Sequence, residues 1–221
     1  MNYQEAIEAR HSVRSYSDRP IEEEIKEKLN RYIAECNDES GLHIQSVYDE
    51  PKAFDSFMAH YGKFSGVNNY IALIGKSSKD LDEKIGYYGE KIALYAQTLG
   101  LNTCWVAMTY KKIKTAYVLN KGEKLCIVLA LGYGLTQGVQ HRSKAIEEVS
   151  DCRADSEEWF RKGVEAALKA PTAMNQQKFF FSHKDGEVEA KAGLGFYSAI
   201  DLGIAKCHFE IGAEKGKEIW K

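Results

Sequence analysis

The sequence predicts an α+β fold on three observations. Four segments carry apolar residues at helical spacing: 21–35, 81–99, 157–169 and 197–213. Strand-like runs lie between them, at 42–48, 69–75, 125–131 and 177–183. The order helix, strand, helix also occurs twice. Segments 21–35, 42–48 and 81–99 match 157–169, 177–183 and 197–213, as though one plan were used two times.

Each element has its own justification. Residues 2–9 form a short helix with Tyr3, Ala6 and Ile7 on one face, and Arg10 to Tyr16 break its pattern. Pro20 opens a stronger helix with Ile21, Ile25, Leu29, Tyr32 and Ile33 in register and Glu22, Glu23 and Glu24 in the first turn, where the helix dipole favours acids. Leu42 to Tyr48 alternates as a strand does, whereas 51–66 is ambiguous and rich in aromatics and glycines. Asn69 to Gly75 is apolar throughout and reads as a buried strand. Ile85, Tyr88, Ile92, Tyr95, Ala96 and Leu99 make one face of a long helix that Gly100 ends. Asn102 to Ala107 reads as extended, 111–119 as a short helix, Leu125 to Leu131 as the best strand, and 138–150 as an exposed connector. Asp155 to Glu158 then opens a helix that carries Trp159, Phe160, Val164, Ala167 and Leu168 up to Pro171. A strand over 177–183 turns at Lys184-Asp185-Gly186-Glu187, and a last helix fills 197–213.

Composition excludes several classes of function. A chain of 221 residues buries a sizeable core as one large domain or two small ones. A net charge of −2 gives no reason to expect a nucleic-acid partner. The longest apolar run, Cys126 to Leu131, is strand-sized, so no membrane span is expected. The N-terminal segment has no signal-peptide core, which places the expected location in the cytoplasm. Five cysteines without a CxxC spacing argue against a disulfide scaffold or a zinc site, and the six histidines show no metal-binding spacing.

Two motifs carry chemistry. Arg10-His11-Ser12-Val13-Arg14 offers two guanidiniums and a hydroxyl, a set suited to an anionic phosphate; the competing reading is an exposed basic loop. Ala170-Pro171-Thr172-Ala173-Met174-Asn175-Gln176-Gln177 offers amides and a hydroxyl on a Pro-led turn, suited to the edge of a polar heterocycle. Both resemble motifs of the FMN-dependent nitroreductase family. Further resemblances lie in Leu129-Ala130-Leu131-Gly132-Tyr133-Gly134 followed by Arg142 and Lys144, and in the helix ending Leu99-Gly100-Leu101-Asn102-Thr103-Cys104-Trp105. The Arg-then-Lys order, the missing Pro after Gly132-Tyr133, Thr172 in place of Ser and Lys178 in place of Pro depart from the family pattern.

The resemblance implies a nitroreductase-like fold, with a mixed or antiparallel sheet covered by helices. It implies that Arg10, His11 and Ser12 form the FMN phosphate loop and that Arg14 lies by the flavin pyrimidine edge. By the same resemblance Arg142 and Lys144 close over the phosphate, and backbone at Val106, Ala107 and Met108 faces flavin N5 and O4. Pro171, Thr172, Ala173 and Asn175 would meet the isoalloxazine from the side that a second subunit supplies elsewhere in the family. The motifs divide between the halves: residues 1–150 hold the basic loop, and 151–221, a truncated second half, hold the Pro-Thr turn. Glu35 to Ser40, the counterpart of that turn, lacks Pro. The expected protein is therefore an internally duplicated pseudo-dimer with one FMN per chain, a monomer or a weak homodimer. Its expected activity is ping-pong transfer of hydride from NADH or NADPH to a small planar acceptor, with no side chain in obvious acid–base work. Phe54, Phe57, Tyr61 and Phe64 are candidates to stack on substrate, or alternatively core or lid packing. Alternatives are another flavin chemistry on the same scaffold, a non-enzymatic flavin-binding or redox-sensing protein, and a structural module with a dead site.

Overall fold

The computed structural model describes residues 1–221, apart from the side chain of His60. Compactness divides the chain differently from its sequence order. One unit takes residues 9–81 and 92–140 and the other takes 1–8, 82–91 and 141–221. We call them the sheet unit and the helix-pair unit. Helix α1 (Tyr3–Ala9) opens the chain, and helix α4 (Leu81–Thr98) contributes residues to both units.

The sheet unit is built on four antiparallel strands in the order β1-β2-β4-β3: β1 (Gln45–Val47), β2 (Asn69–Lys76), β3 (Asn102–Val106) and β4 (Glu123–Gly132). β2 and β4 pair with Ile71 opposite Leu129, and one irregularity falls between Leu73 and Ile74. Their side chains are apolar on both faces because both faces are covered, which is why each reads as an unbroken apolar run. Helix α2 (Glu23–Ser40) runs five residues beyond its expected end at residue 35. Gly41, at φ 71, stops it in the left-handed conformation that glycine adopts without penalty, and its N–H returns to the Asn37 carbonyl. The Asn37 side chain then pairs with both the N–H and the carbonyl of Ile44, which sets the entry into β1. The ambiguous stretch 51–66 holds a 3₁₀ turn (Pro51–Ala53) and helix α3 (Phe57–Tyr61). Phe54 and Phe64 pack together in the core with ring centres 5.2 Å apart, whereas Phe57 and Tyr61 are exposed.

The helix expected over 111–119 does not form. Gln45 donates to the Val118 carbonyl and accepts from its N–H, Lys111 N–H goes to the Ala53 carbonyl, and Ile113 and Ala116 pack on the core. Tertiary partners take the backbone groups that an i→i−4 ladder would have used.

The helix-pair unit joins helix α5 (Ile146–Val149), helix α6 (Glu158–Ala167), a hairpin of β5 (Phe179–Lys184) and β6 (Glu187–Ala192), and helix α7 (Ser198–Ala213). The hairpin turns at Asp185 and Gly186, both at positive φ as a tight Asp-Gly turn requires. Phe160, Phe181 and Phe209 fill the interior, and Trp220 packs on the last two. α6 starts at Glu158, because the Ser156 hydroxyl turns back to accept from Arg153 N–H and does not cap forward.

The connector over 138–150 is largely exposed up to residue 148, as expected, but it is tied into this unit from residue 141 on. His141 and Ser143 contact the Leu168 carbonyl, Ser150 bridges Phe181, and Val149 and Ser150 are buried.

Residues 82–91 of α4 pack on α7 at a crossing of unusual closeness. A Cβ on Gly86 would fall 2.0 Å from the Ile200 carbonyl oxygen, and a Cβ on Gly203 would fall 2.0 Å from that of Glu83. Only glycine permits such backbone contact. Around it, His208 Nε2 lies 2.8 Å from the Glu90 carboxylate, both fully buried, and Lys206 pairs with Glu83 at 2.8 Å. The Tyr87 hydroxyl donates to Glu210.

Candidate functional site

The candidate residues fall into two groups, one in each unit. In the sheet unit the basic loop is pinned on both sides. Val13 N–H donates to the Thr103 carbonyl on β3, and Ser12 bridges Thr103 in parallel. On the other side Ser17 N–H goes to the Tyr133 carbonyl and Leu135 N–H to that of Ser15, at the exit of β4. Gly138, at φ 72, approaches so closely that a Cβ would lie 2.8 Å from that of His11. The Gly132-Tyr133-Gly134 segment and the Arg10 to Arg14 loop are thus brought together. Tyr133 is fixed by donating to Glu22, with Arg19 over its ring at 4.0 Å. Those two partners, Tyr133 and then Arg19, hold the Glu22 carboxyl down at about 2.

Arg10 is 3 % exposed, Ser12 is half-buried, and Arg14 is exposed with its guanidinium 5.9 Å from the Phe64 ring centre. Cys104 on β3 lies among them. Burial raises its thiol pKa, and the Arg14 charge, the Ser12 hydroxyl and the Arg10 charge pull it back. Tyr16 behaves likewise: burial and the neighbouring Cys104 raise it, against the Arg14 charge. The charges of Arg10 and Arg14 and the Ser12 hydroxyl are thus felt at one buried thiol. Thr103, next to Cys104 on β3 and so on the other face of the strand, has a buried hydroxyl without a hydrogen-bond partner. The donor set of Arg10, Ser12 and Arg14 fits a phosphate dianion, for which charged hydrogen bonds are the strong ones. Val106 ends β3 as a buried residue, Ala107 is half-buried, and Met108 is exposed.

In the helix-pair unit the structure joins the basic pair to the Pro-Thr turn. Asn175 and Gln177 donate to the Arg142 carbonyl at 2.8 and 2.9 Å. Lys144 N–H donates to the Gln177 side chain at 2.9 Å, and Lys144 Nζ to the Gln177 carbonyl at 3.0 Å. Thr172 Oγ1 accepts from Gln177 N–H at 3.0 Å, and Pro171, Thr172 and Ala173 are half-buried. The turn is strained. Met174, Asn175 and Gln177 all have positive φ, at 53, 54 and 44°, which costs about 1 kcal/mol per non-glycine residue. Strain of this kind persists only where the surroundings over-determine it.

Asp201, in the first turn of α7, is part of those surroundings. Its carboxylate is 2 % exposed and accepts from Ala173 N–H at 2.9 Å and Gln176 Nε2 at 2.7 Å. Burial raises its pKa, against the bonds from Gln176 and Ala173. Sequence reasoning missed both Asp201 and Cys104. The available signal for Asp201 was an acid among Ile200, Leu202 and Ile204, where an unpaired carboxylate has no place.

The family model described as "Putative TM nitroreductase" matches residues 2–213. The chain belongs to that family. Membership makes it an oxidoreductase by class. Among solved structures it is similar to a putative nitroreductase from Thermotoga maritima, 24 % identical with a TM-score of 0.68, over 96 % of this chain and 83 % of that one. It is similar also to a nitroreductase-like protein from Streptococcus mutans, at 13 % identity and TM-score 0.57 over 68 % and 97 % of the two chains. A third is a putative NADH dehydrogenase/NAD(P)H nitroreductase from Parabacteroides distasonis, at 21 % and 0.53 over 71 % and 100 %. At these identities the likeness establishes the fold: helices on an antiparallel sheet in the nitroreductase manner. No curated protein matches the chain. No helix among the described residues is long and apolar enough to cross a membrane.

Proposed function

We propose that this nitroreductase-family chain is an FMN-dependent NAD(P)H oxidoreductase acting on a small planar acceptor. The observation that carries the reading is the set of Arg10, Ser12 and Arg14 bearing on Cys104, with their loop fixed to the ends of β3 and β4. When bound, FMN supplies the hydride acceptor and donor. Arg10 and Ser12 bind the phosphate. Arg14 supplies positive charge at the flavin and so favours its reduced, anionic form. Val106, Ala107 and Met108 present backbone groups to the ring. Thr172 and Asn175 hydrogen-bond its edge, with Pro171 and Ala173 packed beside them. Arg142 and Lys144 belong to the same reading as phosphate-side cations, and Lys144 also ties the connector to Gln177.

The reading includes duplication of residues 1–150 in 151–221 and a single FMN per chain. The reciprocal contact at the α4–α7 crossing supports the duplication. Each glycine meets the carbonyl three residues before the other glycine, Gly86 that of Ile200 and Gly203 that of Glu83. A two-fold axis imposes that relation on equivalent helices. The test is reconstitution with FMN, followed by denaturation and measurement of released flavin against chain. One flavin per chain is expected, with NADH or NADPH oxidation in the presence of a quinone or nitroaromatic acceptor. A chain that retains no flavin refutes the reading, and two flavins per chain refute the single site.

A further inference from the structure

We propose that Asp201 is a positioning residue: from α7 its carboxylate holds the strained turn at residues 172–177 in the shape that receives flavin, and no equivalent exists in the first half of the chain. The flavin part of this inference rests on the function proposed above.

The geometry is that of a fixed anchor with two tethers. The anchor is α7 itself, held against α4 where Gly203 sits on the Glu83 backbone, two residues beyond Asp201. The tethers are the two carboxylate oxygens. Oδ1 takes the N–H of Ala173, at the start of the 3₁₀ turn, and Oδ2 takes the side chain of Gln176, at its end. Gln176 also donates to the Phe196 carbonyl at 2.8 Å, just ahead of α7. The residues between the tethers include two of the three that stand at positive φ, Met174 and Asn175, and the third is Gln177 beside the second tether. Met174 is 94 % exposed, so its side chain does nothing to hold its own unfavourable backbone. A carboxylate satisfies both donors at once, because it presents two separate acceptor oxygens.

The same geometry accounts for one site per chain. The reciprocal crossing makes Gly86 the counterpart of Gly203. Two residues before Gly203 stands Asp201, and two residues before Gly86 stands Lys84, which has no acceptor to offer. The segment matching the Pro-Thr turn, residues 35–40, is the last part of α2 and is helical. The first half thus lacks both the turn and its holder.

Two variants test the proposal. Asp201→Asn keeps an acceptor for Ala173 but sets an amide donor against Gln176. Gln176→Ala removes the outer tether at a half-buried position and leaves the fold intact if the first variant does not fold. Amide exchange of the apo chain is read by mass spectrometry, followed by FMN titration and the visible spectrum of the bound flavin. Asp201→Asn should raise exchange across 172–177 at least tenfold with the β5–β6 hairpin unchanged, weaken FMN binding about ten- to a hundredfold, and shift the flavin bands. Gln176→Ala should move all three in the same direction by less. Exchange, affinity and spectrum within twofold of wild type in both variants overturn the proposal. Loosened exchange in the variants, together with a wild-type chain that never binds FMN, separates the two claims: Asp201 holds the turn, and the flavin function fails.

Discussion

Gly86→Ala places a methyl group 2.0 Å from the Ile200 carbonyl oxygen, and Gly203→Ala places one 2.0 Å from that of Glu83. Real Cβ atoms essentially never come within 3.0 Å of such an atom, and here the obstacle is backbone, not a side chain with another rotamer. The two helices must separate by about 1 Å, in an interior packed too densely to absorb that freely. Overpacking costs about 1–3 kcal/mol, and more when backbone must move. Alanine is the better helix former by about 1 kcal/mol, which offsets part of this. A net loss of about 2 kcal/mol is expected for each variant, or a fall in Tm of roughly 4–8 °C for a chain of this size. Because the contact is reciprocal, the double variant should lose much less than the sum. Once one methyl has parted the helices, the other enters space already opened, and neighbours that share a contact couple by about 0.5–3 kcal/mol. Thermal and urea unfolding followed by circular dichroism measure all three proteins. Single variants as stable as wild type, or a double variant whose losses add in full, would refute the close reciprocal crossing.

Further perturbations have equally definite outcomes. His208→Leu takes from the buried Glu90 carboxylate its imidazole partner at 2.8 Å and should cost about 3 kcal/mol in urea unfolding, whereas an exposed pair such as Lys162 and Glu158 should cost little when broken. Asp201 has a folded-state pKa raised above its ordinary 3.8 by burial, so the folded chain holds that proton more tightly than the unfolded one. As pH falls through the raised value towards 3.8, wild type should therefore gain stability relative to Asp201→Asn, and parallel pH–stability curves would contradict this. Inserting Gly-Ser between Ser143 and Lys144 should cost about 2 kcal/mol by disrupting the hydrogen bonds of Gln177 to Arg142 and Lys144. The same insertion in a true spacer would be almost free, so an unchanged melting curve would restore the view of this segment as a loose linker.

The elements legible in the sequence are those whose pattern arises from burial alone. β2 and β4 read as unbroken apolar runs because both faces of the sheet are covered, and α4 shows its apolar spacing along its whole length. The helix wrongly expected over 111–119 and the unforeseen tethering of the exposed connector have a different cause. Their backbone partners, Gln45 for Val118 and Gln177 for Lys144, lie 73 and 33 residues away and leave no local trace. α5 has only Ile146 and Val149 to announce it. The candidate site divides in the same way. Arg10 to Arg14 and Ala170 to Gln177 are legible because consecutive residues carry the chemistry. Cys104 and Asp201 are not, because their neighbours are set by strand register and by the start of α7.

The interleaving of the two units also sets an order on the birth of the protein. Every strand of the larger sheet has been synthesised once residue 132 is in place. The helix-pair unit, by contrast, draws on residues 1–8, 82–91 and 141–221, and α7 comes last among its helices. At roughly 5–20 residues per second the stretch 82–91 waits roughly 6–25 s for its partner. Through that interval Gly86 and Tyr87, which meet Ile200 and Glu210 of α7 in the finished protein, have no α7 to pack on. The nascent chain therefore carries a helix whose close-packing glycine is already in place while its partner is unmade.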